Sequence, residues 1–298
     1  MLVLPKSYPL DPDDKIRPEH VLRQSGAEGR AERVLRVGVL NVMPKAESYE
    51  PYLLRPLAQA AELVEPVWLR LESHGYGSSD PAHIQRYYRT FAQAIGEQAL
   101  DGLILTGAPV EELSFEAVHY WQELTRILAF ARRNLQSTLG LCWGGLALAR
   151  LVGLDKISFP KKLFGVYRNS NLNPSHPISR EFDDVFSCAH SRHSGIADRA
   201  LEDASDRGLV RLLSHAPETG YSIFDSADGR FFMHLGHPEY EAERLVHEWR
   251  RDRELGRDDV ERPANFDPEN PRNVWRSHRN ALFSEWLRYL VVEEPAVQ

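Results

Sequence analysis

Two cysteines in 298 residues are too few for a disulfide framework, so the fold must rest on its core, and a reducing compartment is expected. No apolar run approaches the roughly 18 residues of a membrane-spanning helix. Positive charge is in deficit: 36 Lys and Arg against 43 Asp and Glu leave −7, the wrong sign for a broad nucleic-acid surface. The N-terminus lacks a signal-peptide pattern, because Met1 to Pro5 is apolar for only a few residues before Lys6, Asp11, Asp13 and Asp14. A soluble cytoplasmic protein with neither membrane nor nucleic-acid partners is expected.

Ligand motifs are scarce too. Gly75-Tyr-Gly77 follows a polar loop and lacks the third glycine of a dinucleotide fingerprint, and no Walker-type phosphate loop occurs. His190-Ser-Arg-His193 has no Cys-x-x-Cys or His-Glu-x-x-His to complete it, so no metal site is expected.

What is present is an alternation. The length allows two domains at roughly 150 residues each, but one large α/β domain fits equally well. Residues 1–33 are charged and proline-rich without periodicity and read as an N-terminal arm or irregular cap. Val34 to Val42 is a β-branched strand run, and Glu50 to Ala61 carries Leu53, Leu54 and Leu57 at helical spacing, with Pro56 expected to kink the helix or delay its start. Leu63 to Leu71 is a second strand candidate that Pro66 places at an edge or leaves irregular. Ile84 to Leu100 reads as one helix, Gly102 to Thr106 as a buried strand, Phe115 to Asn134 as a helix, and Ser137 to Leu141 as a strand running into an apolar helix from Leu146 to Val152. Leu209 to His234 reads as strands with hairpin character, Glu241 to Glu254 as an amphipathic helix and Asn280 to Val292 as a final helix. The fold class is α/β, a doubly wound, mostly parallel sheet flanked by helices.

Chemistry concentrates at three loops. Gly140-Leu-Cys142-Trp-Gly144 lies at a strand-to-helix junction, where small neighbours permit a tight turn and the helix N-terminus favours a thiolate. An isolated cysteine is more often buried and inert, as is expected of Cys188 within a strand, but the elbow reverses that reading for Cys142. Gly236-His237-Pro-Glu239 follows a strand, so His237 can serve as base while Glu239 fixes its tautomer. Thr106-Gly-Ala108-Pro109 closes another strand and can offer a backbone N–H at Ala108 to an oxyanion, with the Trp143 amide as second donor. Arg250-Arg-Asp-Arg253, judged alone, is a solvated helix face.

Together these segments resemble the homoserine O-acyltransferases, the transsuccinylases and transacetylases built on a class I glutamine-amidotransferase-like fold. The likeness runs from about Val34 to Val291, making 34–298 one acyltransferase domain with a C-terminal extension. It is carried by Leu40-Asn-Val-Met-Pro44, Asp101 to Pro109, Cys142-Trp143-Gly144, Lys161 to Val166, His190-Ser-Arg192, Gly236 to Tyr240 and Trp275-Arg-Ser-His278.

The resemblance implies acetyl transfer from acetyl-CoA to the hydroxyl of L-homoserine, a step of methionine biosynthesis, through an acyl-cysteine. Cys142 would be the nucleophile, His237 the general base and Glu239 its orienting partner. Lys162, Ser191 and Arg251 fall on substrate-contact positions, the planar fork of Arg251 suiting an α-carboxylate. Glu111 matches the position that decides acyl choice, where a carboxylate opposes the terminal carboxylate of a succinyl group. No cofactor is implied beyond the acyl-CoA substrate, and a homodimer is one option for assembly.

Two departures widen the choice of acceptor. The family's second lysine and Thr-Glu pair are replaced in Lys45-Ala-Glu-Ser-Tyr-Glu50, and its Gly-Ala-Gln-Ala is Gly144-Gly-Leu-Ala147 here. L-serine, one methylene shorter, therefore stands beside homoserine, and O-succinyl transfer stands beside acetyl transfer. A glutaminase is disfavoured because Leu146 replaces the usual glutamine. A dead scaffold is disfavoured by the intact Cys-His-Glu set.

Overall fold

Apolar runs bounded by turn residues assemble into a 12-stranded sheet in the computed structural model, which describes residues 1–24 and 33–291. In chain order the strands are β1 (Leu2–Leu4), β2 (Val21–Arg23), β3 (Val34–Leu40), β4 (Leu63–Arg70), β5 (Arg89–Thr90), β6 (Gly102–Leu105), β7 (Ser137–Leu141), β8 (Ile157–Asn171), β9 (Val185–Gly195), β10 (Val210–Ala216), β11 (Gly220–Ser226) and β12 (Phe231–His234). The helices are α1 (Ala46–Gln59), α2 (Pro81–Tyr87), α3 (Phe91–Glu97), α4 (Trp121–Asn134), α5 (Trp143–Leu151), α6 (Asp198–Asp206), α7 (Ala242–Glu254) and α8 (Arg276–Val291). None of these helices is long and apolar enough to cross a membrane.

The spatial order is β2-β1-β4-β3-β6-β7-β12-β11-β10-β8-β9, with β5 on β4. Pairings from β2 to β12 are parallel, and those from β12 to β9 are antiparallel. The chain leaves β3 for β4 on one side and returns to β6 on the other. A topological switch therefore opens between β3 and β6, where loops at the carboxyl ends diverge and leave a crevice.

Strand alternation divides the core into two layers. Ile104 enters the cluster holding Leu53, Leu57, Phe283 and Trp286, while Leu103 and Leu105 enter the opposite one with Leu124, Leu128 and Leu146. With both faces covered, β6 and β7 are buried at every position, which explains their unbroken apolar or small-residue character.

Several expectations are corrected. Residues 1–33, read as an arm, contain β1 and β2, which extend the sheet beyond β4; Leu2 and Leu4 are fully buried. Three-residue strands are too short to show periodicity, so only pairing reveals them. Residues 25–32 of that segment, and Val292 of the final helix, lie outside the described residues. β4 is an interior strand despite Pro66. The Val64 N–H donates to the Met1 carbonyl, so the missing N–H at 66 points to the same side, where β1 and β5 pair only near the two ends of β4.

The single helix expected over Ile84 to Leu100 is two, split by β5. Thr90 caps α3 in a reciprocal bond with Gln93, a start signal hidden inside the apolar run. Conversely, α1 continues through both Pro51 and Pro56. Burial of Leu53, Leu54 and Leu57 outweighs the ~3 kcal/mol cost of an interior proline. The long β8–β9 hairpin was expected nowhere except as a strand around Cys188. It forms the outer part of the antiparallel wing and folds over the crevice.

Candidate active site

Four adjacent strand ends build the site. Cys142 directly follows β7 and caps α5 with φ 50° and ψ −114°, a conformation rarely tolerated outside glycine. Two close approaches enforce the elbow. A Cβ at Gly140 would lie 2.6 Å from the Gly144 carbonyl carbon, and one at Gly144 would lie 2.4 Å from the Leu105 oxygen. The Cys142 amide donates to the His234 carbonyl at 2.8 Å, tying the cysteine's turn to β12.

Three residues beyond β12, the His237 amide donates to Ala189 O at 2.8 Å, which brings its ring to the same side of Gly107 as Cys142. On its far side Nδ1 donates to Glu239 Oε1 at 2.7 Å. The same oxygen accepts the Tyr49 hydroxyl, and the Tyr240 ring stacks on His237 at 4.0 Å between centroids. Burial alone would lower the His237 pKa, but the Cys142 and Glu239 charges and their hydrogen bonds raise it well above the usual histidine value. The charged form of the ring is thereby favoured despite its burial.

The β6 loop completes the near wall. A Cβ at Gly107 would sit 3.5 Å from both Cys142 Cβ and His237 Cε1, and Ala108 lines the same cavity. Trp143 is the first residue of α5, where backbone N–H groups have no partner within the helix. The two backbone positions expected to donate to an oxyanion thus flank the sulfur.

A cavity of about 520 Å³ opens from Cys142. Lys162, Ser191 and Arg251, distant in sequence, all line it. Buried Lys162 donates to Asp252 Oδ2 at 2.7 Å, and the Ser191 hydroxyl donates to Glu248 Oε2 at 2.5 Å. Arg251 is half-exposed and bonds Asp252 Oδ1 through Nε at 2.8 Å. Glu111 reaches Cys142 directly, with Oε2 3.9 Å from Sγ.

Sequence reasoning missed Tyr49, Arg244, Glu248 and Asp252. Arg244, Glu248 and Asp252 share one face of α7 at i, i+4 and i+8, and acidic residues on a buried helical face were the available signal. Burial would raise the Glu248 carboxyl, but Lys162, Arg244, His237 and the Ser191 hydroxyl hold it at about 2. Tyr240 and Arg244 also donate to it, at 2.9 and 3.1 Å.

His190 and His193 are not brought together, because residues three apart on a strand face opposite ways. Instead Cys188, His234 and His278 converge in the interior. The Gly236 N–H donates to His234 Nδ1 at 3.1 Å, so Nε2 carries that ring's proton and donates to His278 Nε2 at 3.3 Å. The Trp275-Arg-Ser-His278 segment also grips the base loop, as Trp275 Nε1 donates to Tyr240 O at 2.9 Å.

Residues 6–297 match the family model described as homoserine O-succinyltransferase. The chain belongs to that family. Among curated relatives, it is 38% identical to a homoserine O-acetyltransferase of Brevibacillus brevis, over 92% of this chain and 90% of that protein. It is 36% identical to one of Lachnoclostridium phytofermentans, over 88% and 87%. Among solved structures, a glutamine amidotransferase from Thermotoga maritima aligns with TM-score 0.58 at 13% identity, covering 87% of this chain and 99% of that one. This likeness is one of fold, the mostly parallel sheet flanked by helices.

Proposed function

We propose that the protein transfers an acetyl group from acetyl-CoA to the side-chain hydroxyl of L-homoserine through an acetyl-Cys142 intermediate. The observation that carries this reading is the buried Cys142–His237–Glu239 line against a cavity lined by charges of both signs. The Cys142 thiolate attacks the thioester carbonyl, and the N–H groups of Trp143 and Ala108 receive the oxyanion. The carbon–sulfur bond to CoA breaks, and the departing thiolate takes the proton from His237. The acceptor hydroxyl then gives its proton to His237 while its oxygen attacks the acetyl-cysteine, and expulsion of the Cys142 thiolate restores the starting pair. Glu239 holds the His237 tautomer throughout.

An amino-acid acceptor suits the rest of the cavity. Arg251 and Lys162 offer cations to an α-carboxylate, and Glu248 offers a buried anion to an α-ammonium. Glu111 beside the sulfur disfavours an acyl group ending in a second carboxylate. The acyl-CoA is a substrate, and no cofactor is assigned. Two free cysteines accord with a cytoplasmic setting.

The test is mass spectrometry with acetyl-CoA alone, followed by a rate matrix of acetyl-CoA and succinyl-CoA against homoserine and serine. An acetyl group on the Cys142 peptide and fastest turnover with acetyl-CoA and homoserine are expected. An unmodified chain under conditions that support turnover rules out the covalent route, while serine as the faster acceptor reassigns the alcohol.

A further inference from the structure

Glu111 is held in place by the end of β9 and by Lys156. Its Oε1 accepts the His193 backbone N–H at 3.0 Å and faces the His193 ring Nδ1 at 3.0 Å. Its carbonyl accepts from the Ser194 hydroxyl at 2.9 Å and from Lys156. These bonds come from the end of β9 and from Lys156, just before β8, and they leave only Oε2 directed at Cys142 Sγ. A carboxylate only accepts, so Nδ1 must carry the proton that faces it. On the other side of the ring, Nε2 lies 2.8 Å from Asp259 Oδ2 and 3.0 Å from Arg257 Nη2. An acceptor and a donor thus meet at Nε2, and either protonation state there leaves the Nδ1–H bond to Glu111 intact.

We infer that His193 is a positioning residue for acyl-donor choice: its Nδ1–H, backed by Asp259 and Arg257, keeps the Glu111 carboxylate turned onto the nucleophile and so keeps longer, dicarboxylic acyl groups out. Without this bond only the His193 backbone N–H holds Oε1, and the Glu111 side chain, attached to a loop, is freer to rotate from the sulfur and yield the space it occupies. The side chains of Glu111 and His193 are only 13% and 11% exposed, so a bond between them is poorly replaced by water. This inference rests on the donor reading above.

The experiment measures kcat/KM for acetyl-CoA and succinyl-CoA at a fixed acceptor concentration. In His193→Leu the acetyl-to-succinyl ratio should fall about tenfold, the value of one bond to a charged group, chiefly by a gain with succinyl-CoA. His193→Asn places an amide N–H near Nδ1 and should keep the wild-type ratio. His193→Gln reaches instead toward the Nε2 position and should behave like the leucine variant, which guards against misfolding of either one. In a Glu111→Gly background, His193→Leu should change the ratio less than about twofold, since sites that act through one group are not additive. Retention of the ratio in His193→Leu and His193→Gln, with Glu111→Gly relaxing it, overturns the role of His193 and leaves the donor reading standing. A ratio unmoved by Glu111→Gly removes the donor reading itself. An equal effect of His193→Leu with and without Glu111 overturns the proposed coupling.

Discussion

At the end of β12 the chain passes two histidines three residues apart, each beside a cysteine, and only one pair reaches the cavity. His237 has a carboxylate behind it and Cys142 in front of it, and its pKa is raised against the pull of burial. His234 has a backbone amide behind it and His278 in front, and burial drives both of these rings down, His278 to about 3. Cys188, 3.9 Å from His234, is pushed well above the usual thiol range by burial. The two groups share residue types, so proximity of cysteine to histidine is not what sets the proposed nucleophile apart. A carboxylate to support the imidazolium, a strained turn at a helix N-terminus and an open face do so.

The comparison breaks most visibly at sulfur. Cys142→Ala should reduce acyl transfer by about 10³-fold or more. Cys188→Ala should leave kcat within about threefold and cost ~1–2 kcal/mol of stability by opening a small void, so steady-state kinetics and denaturant titration separate the two. Loss of activity on Cys188→Ala without loss of structure would erase the distinction.

Next in size is the carboxylate. Glu239→Gln should lower kcat by about 10²–10⁴-fold. The amide no longer stabilises the imidazolium, so the His237 pKa falls. The limb of the kcat profile that rises as His237 loses its proton should then move to lower pH; a limb that stays in place would mean that Glu239 does not set the base.

The smallest effect belongs to the sealed pair. Neutral His234 and His278 have native pKa values below those of the unfolded chain, so the unfolded state takes up protons first. The stability they contribute is complete above about pH 6.5, the unfolded value, and declines as the pH falls toward about 3, where His278 titrates. Thermal midpoints should therefore drop between pH 7 and pH 5. His278→Leu should flatten that slope while costing ~1–3 kcal/mol at neutral pH, because the His234 Nε2–H loses its acceptor. An unchanged slope would show that His278 is not held neutral.

Legibility in the sequence followed the range of the interactions. The parallel half was readable because β3, β6 and β7 are buried on both faces, which demands local apolar runs. The cysteine elbow was readable because close backbone approach leaves only glycine at 140 and 144. The oxyanion loop and the His237–Glu239 pair were readable as strand-terminal motifs. The β8–β9 hairpin escaped because its strands carry consecutive polar residues, Lys161-Lys162 and His190 to Ser194, that interrupt any apolar run or alternation. β1, β2 and β5 escaped because two or three residues carry no period. Glu248 and Asp252 looked like ordinary members of an amphipathic helix, since nothing local distinguishes a solvated acid from one opposite Lys162.

The sequence alone determined the architecture of the parallel half and the elbow that carries Cys142, because steric demands at strands and turns act over a few neighbouring residues. The environment of that group was decided only in three dimensions. Tyr49 comes from α1, Glu248 from α7, and the clasp on Glu111 from β9, and pKa values depend on charges and burial at distances that the order of residues does not encode.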